Sequence, residues 1–140
     1  MSTQDDEDST QGPSSTTRQE TRQAHVLLVD DEEDFRETLR LWLVKDRHWD
    51  VSEASTGEEA LAKLNSSVDI LVLDRRMPDL SGPEVVEQLS QRSFDGDIVV
   101  VSAFKPDQHL NTEMVADYLI KPIDRQEFLD TLELHTKHNR

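Results

Sequence analysis

The sequence predicts an α/β protein built around a parallel sheet, and three observations support that prediction. Short apolar runs alternate along the chain with longer segments of helical periodicity, which is the pattern of repeated strand–helix units. The runs at 27–29, 70–73 and 98–101 are continuously apolar, as expected for strands covered on both faces. The chain of 140 residues is long enough to bury a core and fits one domain.

The chain opens on a polar segment that we expect to be a disordered tail. Residues 1–24 contain mainly Ser, Thr, Gln and Asp, with almost no apolar side chains. Such a segment cannot bury enough surface to offset the entropy lost on ordering it. The folded domain is therefore predicted over residues 25–137.

The first half of the domain contains two predicted strands and two predicted helices. Residues 25–30 form a short apolar strand, and residues 31–45 carry apolar side chains at helical spacing behind an acidic first turn. Residues 49–54 indicate a weaker, edge-like strand. A second, short helix follows over residues 56–65, with Thr56 as its predicted cap.

The second half of the domain continues the alternation. The remaining strands are predicted over residues 69–74, 97–102 and 117–121. The helix over residues 82–92 is predicted to have Gly82 at its cap and Pro83 at its first helical position, where the missing N–H of proline has no cost. Residues 124–137 predict a closing amphipathic helix.

The composition excludes several classes of function. A formal net charge of -15 makes nucleic acids and anionic membranes poor direct partners. The chain has no cysteine, which excludes disulfides, thiolate metal sites and thiol catalysis. The sequence shows neither an apolar stretch of transmembrane length nor a signal-peptide pattern, so we expect a cytoplasmic protein.

The charge distribution also resembles that of proteins from halophiles. The chain has 30 acidic residues against 10 Arg and only 5 Lys. The predicted tail holds five acids and two arginines, a net charge of -3, which leaves -12 on the remaining residues. An acidic, lysine-poor surface stays hydrated and repulsive in concentrated salt, so the composition favours a halophilic source.

Four predicted strands end on polar side chains. Asp30 and Asp31 follow the first strand, and Asp74, Ser102 and Lys121 end the third, fourth and fifth. Each residue alone has an ordinary structural interpretation as a helix cap, a turn residue or a solvated group. The carboxyl ends of parallel strands, however, share one edge of the sheet, which is where ligands bind in open α/β folds.

Three crowded carboxylates need a compensating charge, since their mutual repulsion would otherwise raise at least one pKa sharply. Mg²⁺ is the cation that best suits a pocket of acidic oxygen ligands. A metal-bound carboxylate facing a hydroxyl and an ammonium group would form a cradle for a phosphoryl group. In that arrangement Asp74 is the predicted nucleophile.

Four sequence fragments resemble one family. "LLVDDEEDFRE", "ILVLDRRMPDLSGPEV", "VVVSA" and "DYLIKPID" occur in this order, and residues 25–137 resemble the receiver domain of two-component response regulators, most closely those of halophilic archaea. The resemblance implies a flavodoxin-like, doubly wound fold with five parallel strands in the order 2-1-3-4-5 and helices on both faces. Only 18 residues separate Ser102 from Lys121, so the fourth helix is expected to be short.

The resemblance also implies a metal site and an acceptor. Asp74 corresponds to the phosphoacceptor, and Asp30 and Asp31 correspond to the acidic pair that holds Mg²⁺. By this analogy Asp31 is a direct ligand, Asp30 acts largely through water, and the backbone carbonyl of Arg76 is a further ligand.

The remaining implied roles concern the phosphoryl group and the signal. Ser102 and Lys121 would contact phosphoryl oxygens, Ser102 and Tyr118 would form the switch, and the Lys121–Pro122 bond would be cis. Arg76 and Phe104 occupy positions that influence dephosphorylation in the family.

The implied partners are a sensor histidine kinase or phosphotransfer protein and a downstream protein target or a missing output domain. Such a domain is a switch that promotes its own phosphorylation and dephosphorylation, not an enzyme acting on a separate substrate.

Two other functions compete with the one that this resemblance implies. A Mg²⁺-dependent phosphohydrolase of the haloacid dehalogenase type would need an Asp-x-Asp arrangement after the first strand and a cap insertion over the substrate, whereas residues 29–34 read "VDDEED" and no insertion is long enough. A flavodoxin-type binding module would need a phosphate loop rich in Ser, Thr and Gly, and these acids would repel phosphate. Labelling of the protein in a one-to-one ratio would distinguish a receiver from a hydrolase.

Overall fold

A five-stranded parallel sheet forms the centre of the computed structural model. The structure describes residues 23–138, except residues 47, 48, 78, 93, 109, 111 and 112 and the side chains of residues 137 and 138. The predicted disordered tail therefore lies outside the described residues, apart from its last two positions. Ala24, the last of these, already begins the first strand.

The order of elements follows the alternation predicted from the sequence. The strands are β1 (Ala24–Val29), β2 (Trp49–Ala54), β3 (Ile70–Leu73), β4 (Asp97–Ser102) and β5 (Val115–Ile120). The helices are α1 (Glu33–Asp46), α2 (Gly57–Lys63), α3 (Gly82–Leu89) and α4 (Arg125–His138).

The spatial order of the strands is β2-β1-β3-β4-β5, with every neighbouring pair parallel. In β1 and β3 the register pairs Val26 with Ile70 and Val29 with Leu73, so the two strands end side by side. The chain order reverses between these two strands, which makes their carboxyl ends the topological switch point of the sheet. The predicted fold class and strand order are confirmed.

The core has two layers, one on each face of the sheet. Because alternate strand residues face opposite sides, Leu71 and Leu73 contribute to the layer under α2 and α3, while Ile70 and Val72 contribute to the layer under α1 and α4. All four residues of β3 are buried, as the continuous apolar run predicted. Phe128 of α4 is fully buried in the second layer.

The N-cap of α2 is the residue predicted from the sequence, and the N-cap of α3 lies one residue before the predicted one. Thr56 caps α2, as predicted, and its side chain accepts from the N–H of Glu59. The prediction of Gly82 as the cap of α3 is wrong, because Ser81 occupies that position and Gly82 is the first helical residue. Serine has the side-chain oxygen that satisfies a free helical N–H, and glycine does not.

The segment that joins β4 to β5, residues 103–114, differs from the expectation of a short fourth helix. Its described residues include bends, turns and irregular backbone but no helix. Pro106 disfavours helical geometry at Lys105 and supplies no N–H for a helix that includes it. Leu110 is nevertheless buried against the core layer under α2 and α3. Over the whole described part of the chain, none of the helices has the length and apolar character needed to cross a membrane.

Candidate functional site

Two buried carboxylates lie where β1 and β3 end side by side. Asp30 and Asp74 continue the sheet hydrogen bonding past the last strand residues. The Asp30 N–H donates to the Ala54 carbonyl over 3.2 Å, and the Asp74 N–H donates to the Val29 carbonyl over 3.0 Å. Their exposed fractions are 3% and 7%, whereas Asp31 is exposed. The apolar strands thus hold two acids below the surface and leave a third at the mouth of the site.

The three acids are close enough to share one cation. One carboxylate oxygen from each of Asp30, Asp31 and Asp74 can be chosen so that all three lie within 4.8 Å of one another. Carboxylate oxygens are the hard ligands that Mg²⁺ and Ca²⁺ prefer. The donor set therefore fits a hard divalent cation.

Lys121 is the positive group of the site. Its Nζ lies 3.1 Å from Asp30 Oδ2 and 3.7 Å from Asp74 Oδ1, and a third carboxylate, that of Glu32, lies 3.3 Å away. The Lys121 N–H donates to the Ser102 carbonyl over 2.8 Å, which ties the end of β5 to the end of β4. The following Lys121–Pro122 peptide bond is cis, so that prediction is confirmed.

Burial and charge both shift the titration of these groups. Burial, and then the neighbouring charge of Asp30, raises the pKa of Asp74 to about 6 despite the opposing effect of Lys121. Burial also raises the pKa of Asp30, although its hydrogen bond from the Glu32 N–H and the charge of Lys121 oppose the shift. For Lys121, burial lowers the pKa but the charges of Asp30 and Asp74 outweigh it, and the pKa is raised. An excess of buried negative charge of this kind favours a bound cation.

Ser102 completes the group of five residues that the sequence predicted at this edge. It is buried, and its Oγ accepts from the Phe104 N–H over 3.1 Å. An open cleft of about 240 Å³ lies above Asp74. Its wall is formed by Asp31, Glu32, Asp74, Arg76, Ser102, Ala103, Phe104 and Lys121.

The rim of this cleft carries a stacked pair. The guanidinium carbon of Arg76 lies 4.1 Å from the centroid of the Phe104 ring, in the geometry of a cation–π contact. Phe104 is 43% exposed, so the pair lies at the surface beside Asp74. Both residues of the pair therefore line the cleft beside Asp74.

Tyr118 lies outside the acidic cluster. Its hydroxyl donates to the carbonyl of Phe104 and lies 3.3 Å from Nη1 of Arg75. The structure therefore places the predicted switch residue at the β4–β5 segment and not in contact with Asp74. Sequence reasoning missed Arg75. Its only local signal was its position directly after Asp74, at the end of a buried strand.

A second arginine missed by sequence reasoning supports the backbone of the site. Arg36 on α1 donates through Nη1 to the Asp30 carbonyl over 2.6 Å and through Nε to Glu53 Oε1 over 2.8 Å. Because Glu53 belongs to β2 and Asp30 directly follows β1, the guanidinium links α1 to both strands. Its spacing of six residues from Asp30 carries no distinctive pattern.

A glycine is required where the start of α3 passes the end of β3. The Gly82 N–H donates to the Arg75 carbonyl over 2.8 Å. A Cβ added at Gly82 would lie 2.6 Å from the Asp74 carbonyl oxygen and 2.8 Å from the Cα of Arg75, closer than such contacts allow. The glycine therefore lets the start of α3 lie directly against the backbone of Asp74 and Arg75.

Comparison with known proteins agrees with this geometry. The family model described as "Response regulator receiver domain" matches residues 26–133. A Haloferax volcanii protein named as a transcriptional regulator is 42% identical over 109 residues, which cover 77% of this chain and 18% of that protein. Response regulator SaeR of Staphylococcus aureus is 28% identical over 109 residues, covering 75% of this chain and 47% of SaeR. The chain spans less than half the length of either relative.

Solved structures give the same result for the fold. Response regulator protein TrrA of Thermotoga maritima, in complex with Mg²⁺-BeF, is 28% identical with a TM-score of 0.70, covering 79% of this chain and 97% of that one. A CheY-like receiver domain protein from Methanospirillum hungatei, 20% identical, has a TM-score of 0.75 over 84% of this chain and 96% of that one. The predicted resemblance to receivers of halophilic archaea is confirmed by the Haloferax relative.

Proposed function

The chain belongs to the response regulator receiver family, and from that premise we propose that Asp74 accepts a phosphoryl group from the phosphohistidine of a sensor kinase or phosphotransfer protein. One observation carries the proposal: Asp74 lies beneath an open cleft with Lys121 Nζ 3.7 Å from its carboxylate and two further acids beside it. A receiver is a switch domain, and the family match favours this function over a dehalogenase-type hydrolase.

The transfer is a displacement at phosphorus. An oxygen of the ionised Asp74 carboxylate forms a bond to the phosphorus of the donor, and the P–N bond to the donor imidazole breaks. The electron pair of that bond stays with the imidazole nitrogen, and the product is an acyl phosphate on Asp74. Because the reaction uses the carboxylate, Asp74 must be deprotonated when the donor approaches.

Lys121 and Ser102 are proposed to bind the transferred group. Lys121 already points its ammonium group into the cleft, held between Asp30 and Asp74, where it can neutralise a phosphoryl oxygen. The Ser102 hydroxyl, at the end of the neighbouring strand, can donate to another oxygen while it still accepts from the Phe104 N–H. Both groups are fixed by the sheet, so little reorganisation is needed during transfer.

Mg²⁺ is the proposed cofactor, since the three clustered carboxylates suit a hard cation. Asp31 and Asp74 would bind it directly, Asp30 would act largely through water, and the Arg76 backbone carbonyl would be a further ligand. When bound, it supplies positive charge that neutralises phosphoryl oxygens during transfer. By the same proposal, the domain promotes its own phosphorylation and dephosphorylation.

The output of the switch is proposed to be a change of protein contacts through Ser102 and Tyr118. Both residues already contact Phe104 of the β4–β5 segment. Ser102 Oγ accepts from the Phe104 N–H, and the Tyr118 hydroxyl donates to the Phe104 carbonyl. The relatives extend well beyond the matched region, so the recipient of the signal is proposed to be an output domain or a separate protein. We propose no direct nucleic-acid or membrane partner for a domain of this acidity. The cytoplasmic location stays a prediction.

The test is labelling with acetyl phosphate and Mg²⁺. Wild type should incorporate up to one phosphoryl group per chain, and the label should be labile to hydroxylamine, as an acyl phosphate is. Asp74→Asn should not be labelled, because the amide matches the carboxylate in shape but is a poor nucleophile. Asp95→Asn, a change at an exposed acid away from the site, is the matched control and should be labelled like wild type.

Two outcomes would contradict the proposal. Labelling of Asp74→Asn at the wild-type rate would show that another residue is the acceptor. Continuous release of phosphate with many turnovers per minute, without a labelled protein, would instead support a hydrolase.

A further inference from the structure

The ammonium group of Lys121 faces an aromatic ring as well as the acids of the site. Its Nζ lies 4.2 Å from the centroid of the ring of Phe35, a residue of α1, and a cation–π contact extends to about 6 Å. The Lys121 side chain is only 16% exposed, so its ammonium group is largely shielded from water. Such contacts are strongest where the cation is desolvated.

The carboxylates around Lys121 attract its ammonium group but do not fix its position. Nζ lies 3.1 Å from Asp30, 3.3 Å from Glu32 and 3.7 Å from Asp74, and a lysine is a point charge on a flexible stem with three rotatable donors. The Glu32 side chain is 66% exposed, so solvent weakens its contact with Lys121. Asp30 and Asp74 belong to the cluster that fits a cation, so Lys121 would share both with a metal. The Phe35 ring carries no charge, and a bound metal does not compete for it.

Phe35 is itself held in place by the core. The residue is half-buried, and its ring packs against the core layer under α1 and α4. The next residue, Arg36, donates to the Asp30 carbonyl over 2.6 Å, which ties this turn of α1 to the end of β1. Because packed side chains have little freedom to move, the ring is a fixed surface beside the flexible end of Lys121.

We propose that Phe35 is a positioning residue that holds the Lys121 ammonium group beside Asp74, where it meets the phosphoryl group. This inference rests on the proposed function, because it assigns a support to the residue that binds the transferred group. Lys121 and Asp74 both line the open cleft, so a displaced ammonium group no longer faces an anion bound there. Loss of the ring therefore weakens anion binding at Asp74, even when an apolar side chain takes its place.

The experiment titrates beryllium fluoride into the full chain in the presence of Mg²⁺, the combination named for the Thermotoga structure. Phe35→Leu keeps an apolar side chain in the core layer but removes the ring, and the Kd for beryllium fluoride should rise about 3- to 10-fold. Phe35→Tyr keeps the face of the ring, so its Kd should stay within about 2-fold of the wild-type value. If Phe35→Leu does not fold, as judged by its urea transition, Phe35→Met carries the same test, because its flexible side chain fills irregular gaps.

Trp42→Leu is the matched control for the loss of an aromatic ring from α1. The Trp42 ring packs against the same core layer but lies beside Phe128, with 5.9 Å between the two ring centroids. Its loss should lower the urea midpoint, and the Kd for beryllium fluoride should keep its wild-type value. Mg²⁺ alone gives a second readout: it should raise the urea midpoint of Phe35→Leu at least as much as that of wild type, because the three clustered acids are intact.

Failure of this inference is distinguishable from failure of the proposed function. If wild type binds beryllium fluoride and a folded Phe35→Leu binds it equally well, the ring does not position Lys121. A Kd raised equally in Phe35→Tyr would show that the face of the ring is not responsible. A Kd raised equally in Trp42→Leu, or a lost response of Phe35→Leu to Mg²⁺, would assign the effect to general damage. Each of these results overturns the inference and leaves the role of Asp74 in place. If wild type neither binds beryllium fluoride nor is labelled by acetyl phosphate, both proposals are overturned.

Discussion

The Asp74 carboxylate is ionised in an environment that disfavours its charge. It is 7% exposed, lies beside Asp30, and has a pKa raised to about 6 by burial first and by that neighbouring charge second. Groups with strongly shifted pKa values in clefts are typical of functional sites. The same environment has a consequence for stability that can be measured without any phosphodonor.

The first prediction is that Asp74→Asn stabilises the metal-free protein at neutral pH. The folded pKa is about 6 against an ordinary value of 3.8, so the folded state holds the proton more tightly than the unfolded state. Stability is therefore lost as pH rises from about 4 to about 6, and the loss is complete above that range. A shift of about two units corresponds to about 3 kcal/mol as an upper value, and the neutral amide avoids it.

Urea unfolding in the presence of a chelator measures this effect. At pH 8 the free energy of unfolding of Asp74→Asn should exceed that of wild type by about 1 to 3 kcal/mol, and near pH 4 the difference should become small. Asp95→Asn should stay within about 0.5 kcal/mol of wild type at both pH values. If Asp74→Asn is less stable than wild type at pH 8, burial does not destabilise the ionised Asp74 carboxylate.

At the residue scale, the sequence identified the side chains at the strand ends, Lys121 included, but not the two arginines Arg75 and Arg36. Asp30, Asp74 and Ser102 follow from the strand ends, because a short side chain stays near its backbone position. The direction of a long arginine side chain depends on partners distant in sequence, such as Asp107 for Arg75 and Glu53 for Arg36. No local pattern specifies those partners.

At the scale of elements, α3 shows how a local signal fixes a helix start beside the site. The Ser81 hydroxyl accepts from the Glu84 N–H (3.4 Å), and the Glu84 carboxylate accepts from the Ser81 N–H (2.8 Å). This reciprocal pair is a capping box, which satisfies two free backbone donors. The start of α3 in turn packs against the backbone of Asp74 and Arg75 through Gly82.

The second prediction is that Ser81→Ala lowers the free energy of unfolding by about 1 kcal/mol. The change leaves the N–H of Glu84 without its side-chain acceptor. Labelling by acetyl phosphate should persist, because Ser81 is not among the residues that line the cleft above Asp74. Urea unfolding and the labelling assay measure the two effects separately.

Two controls define this prediction. Ser66→Ala removes a hydroxyl at an exposed position outside any helix and should change stability by no more than about 0.5 kcal/mol. Glu84→Gln keeps an acceptor for the Ser81 N–H, so it should cost less than Ser81→Ala. Equal stability of Ser81→Ala and wild type would mean that the capping box contributes nothing in water.

The elements that sequence periodicity predicted well are those whose pattern is local. The run at residues 70–73 is continuously apolar because β3 is covered on both faces, and Thr56 caps α2 because its side chain reaches a nearby N–H. The β4–β5 segment was predicted less well. There Pro106 and the contacts from Arg75 replace the helix that the resemblance implied, and tertiary contacts of this kind leave no periodic signal.

At the scale of the whole molecule, the strand order was not visible in the periodicity. Alternating strands and helices predict a parallel sheet, but many orders satisfy that pattern, and the order 2-1-3-4-5 came from the resemblance. Once β1 and β3 are adjacent, their end residues Asp30 and Asp74 necessarily lie together at the switch point. The site is thus a consequence of topology combined with three strand-end acids.

The third prediction concerns salt and follows from the charge of the whole chain. Residues 25–140 carry a net charge of -12, which destabilises a folded domain by self-repulsion. The Debye length is about 30 Å at 0.01 M salt and about 3 Å at 1 M, so repulsion between exposed acids largely disappears over this range. We expect the urea midpoint to rise markedly from dilute buffer to molar KCl.

Mg²⁺ and KCl should differ in the charges that they neutralise. At low salt, millimolar Mg²⁺ should raise the urea midpoint of wild type by binding the folded state. It should raise that of Asp31→Ala much less, because one of the three clustered carboxylates is missing. Molar KCl should stabilise both proteins alike, since general screening does not require the cluster. A urea midpoint that does not change from dilute buffer to molar KCl would contradict adaptation to high salt, and it would leave the proposed role of Asp74 intact. An equal response of wild type and Asp31→Ala to Mg²⁺ would contradict the metal site.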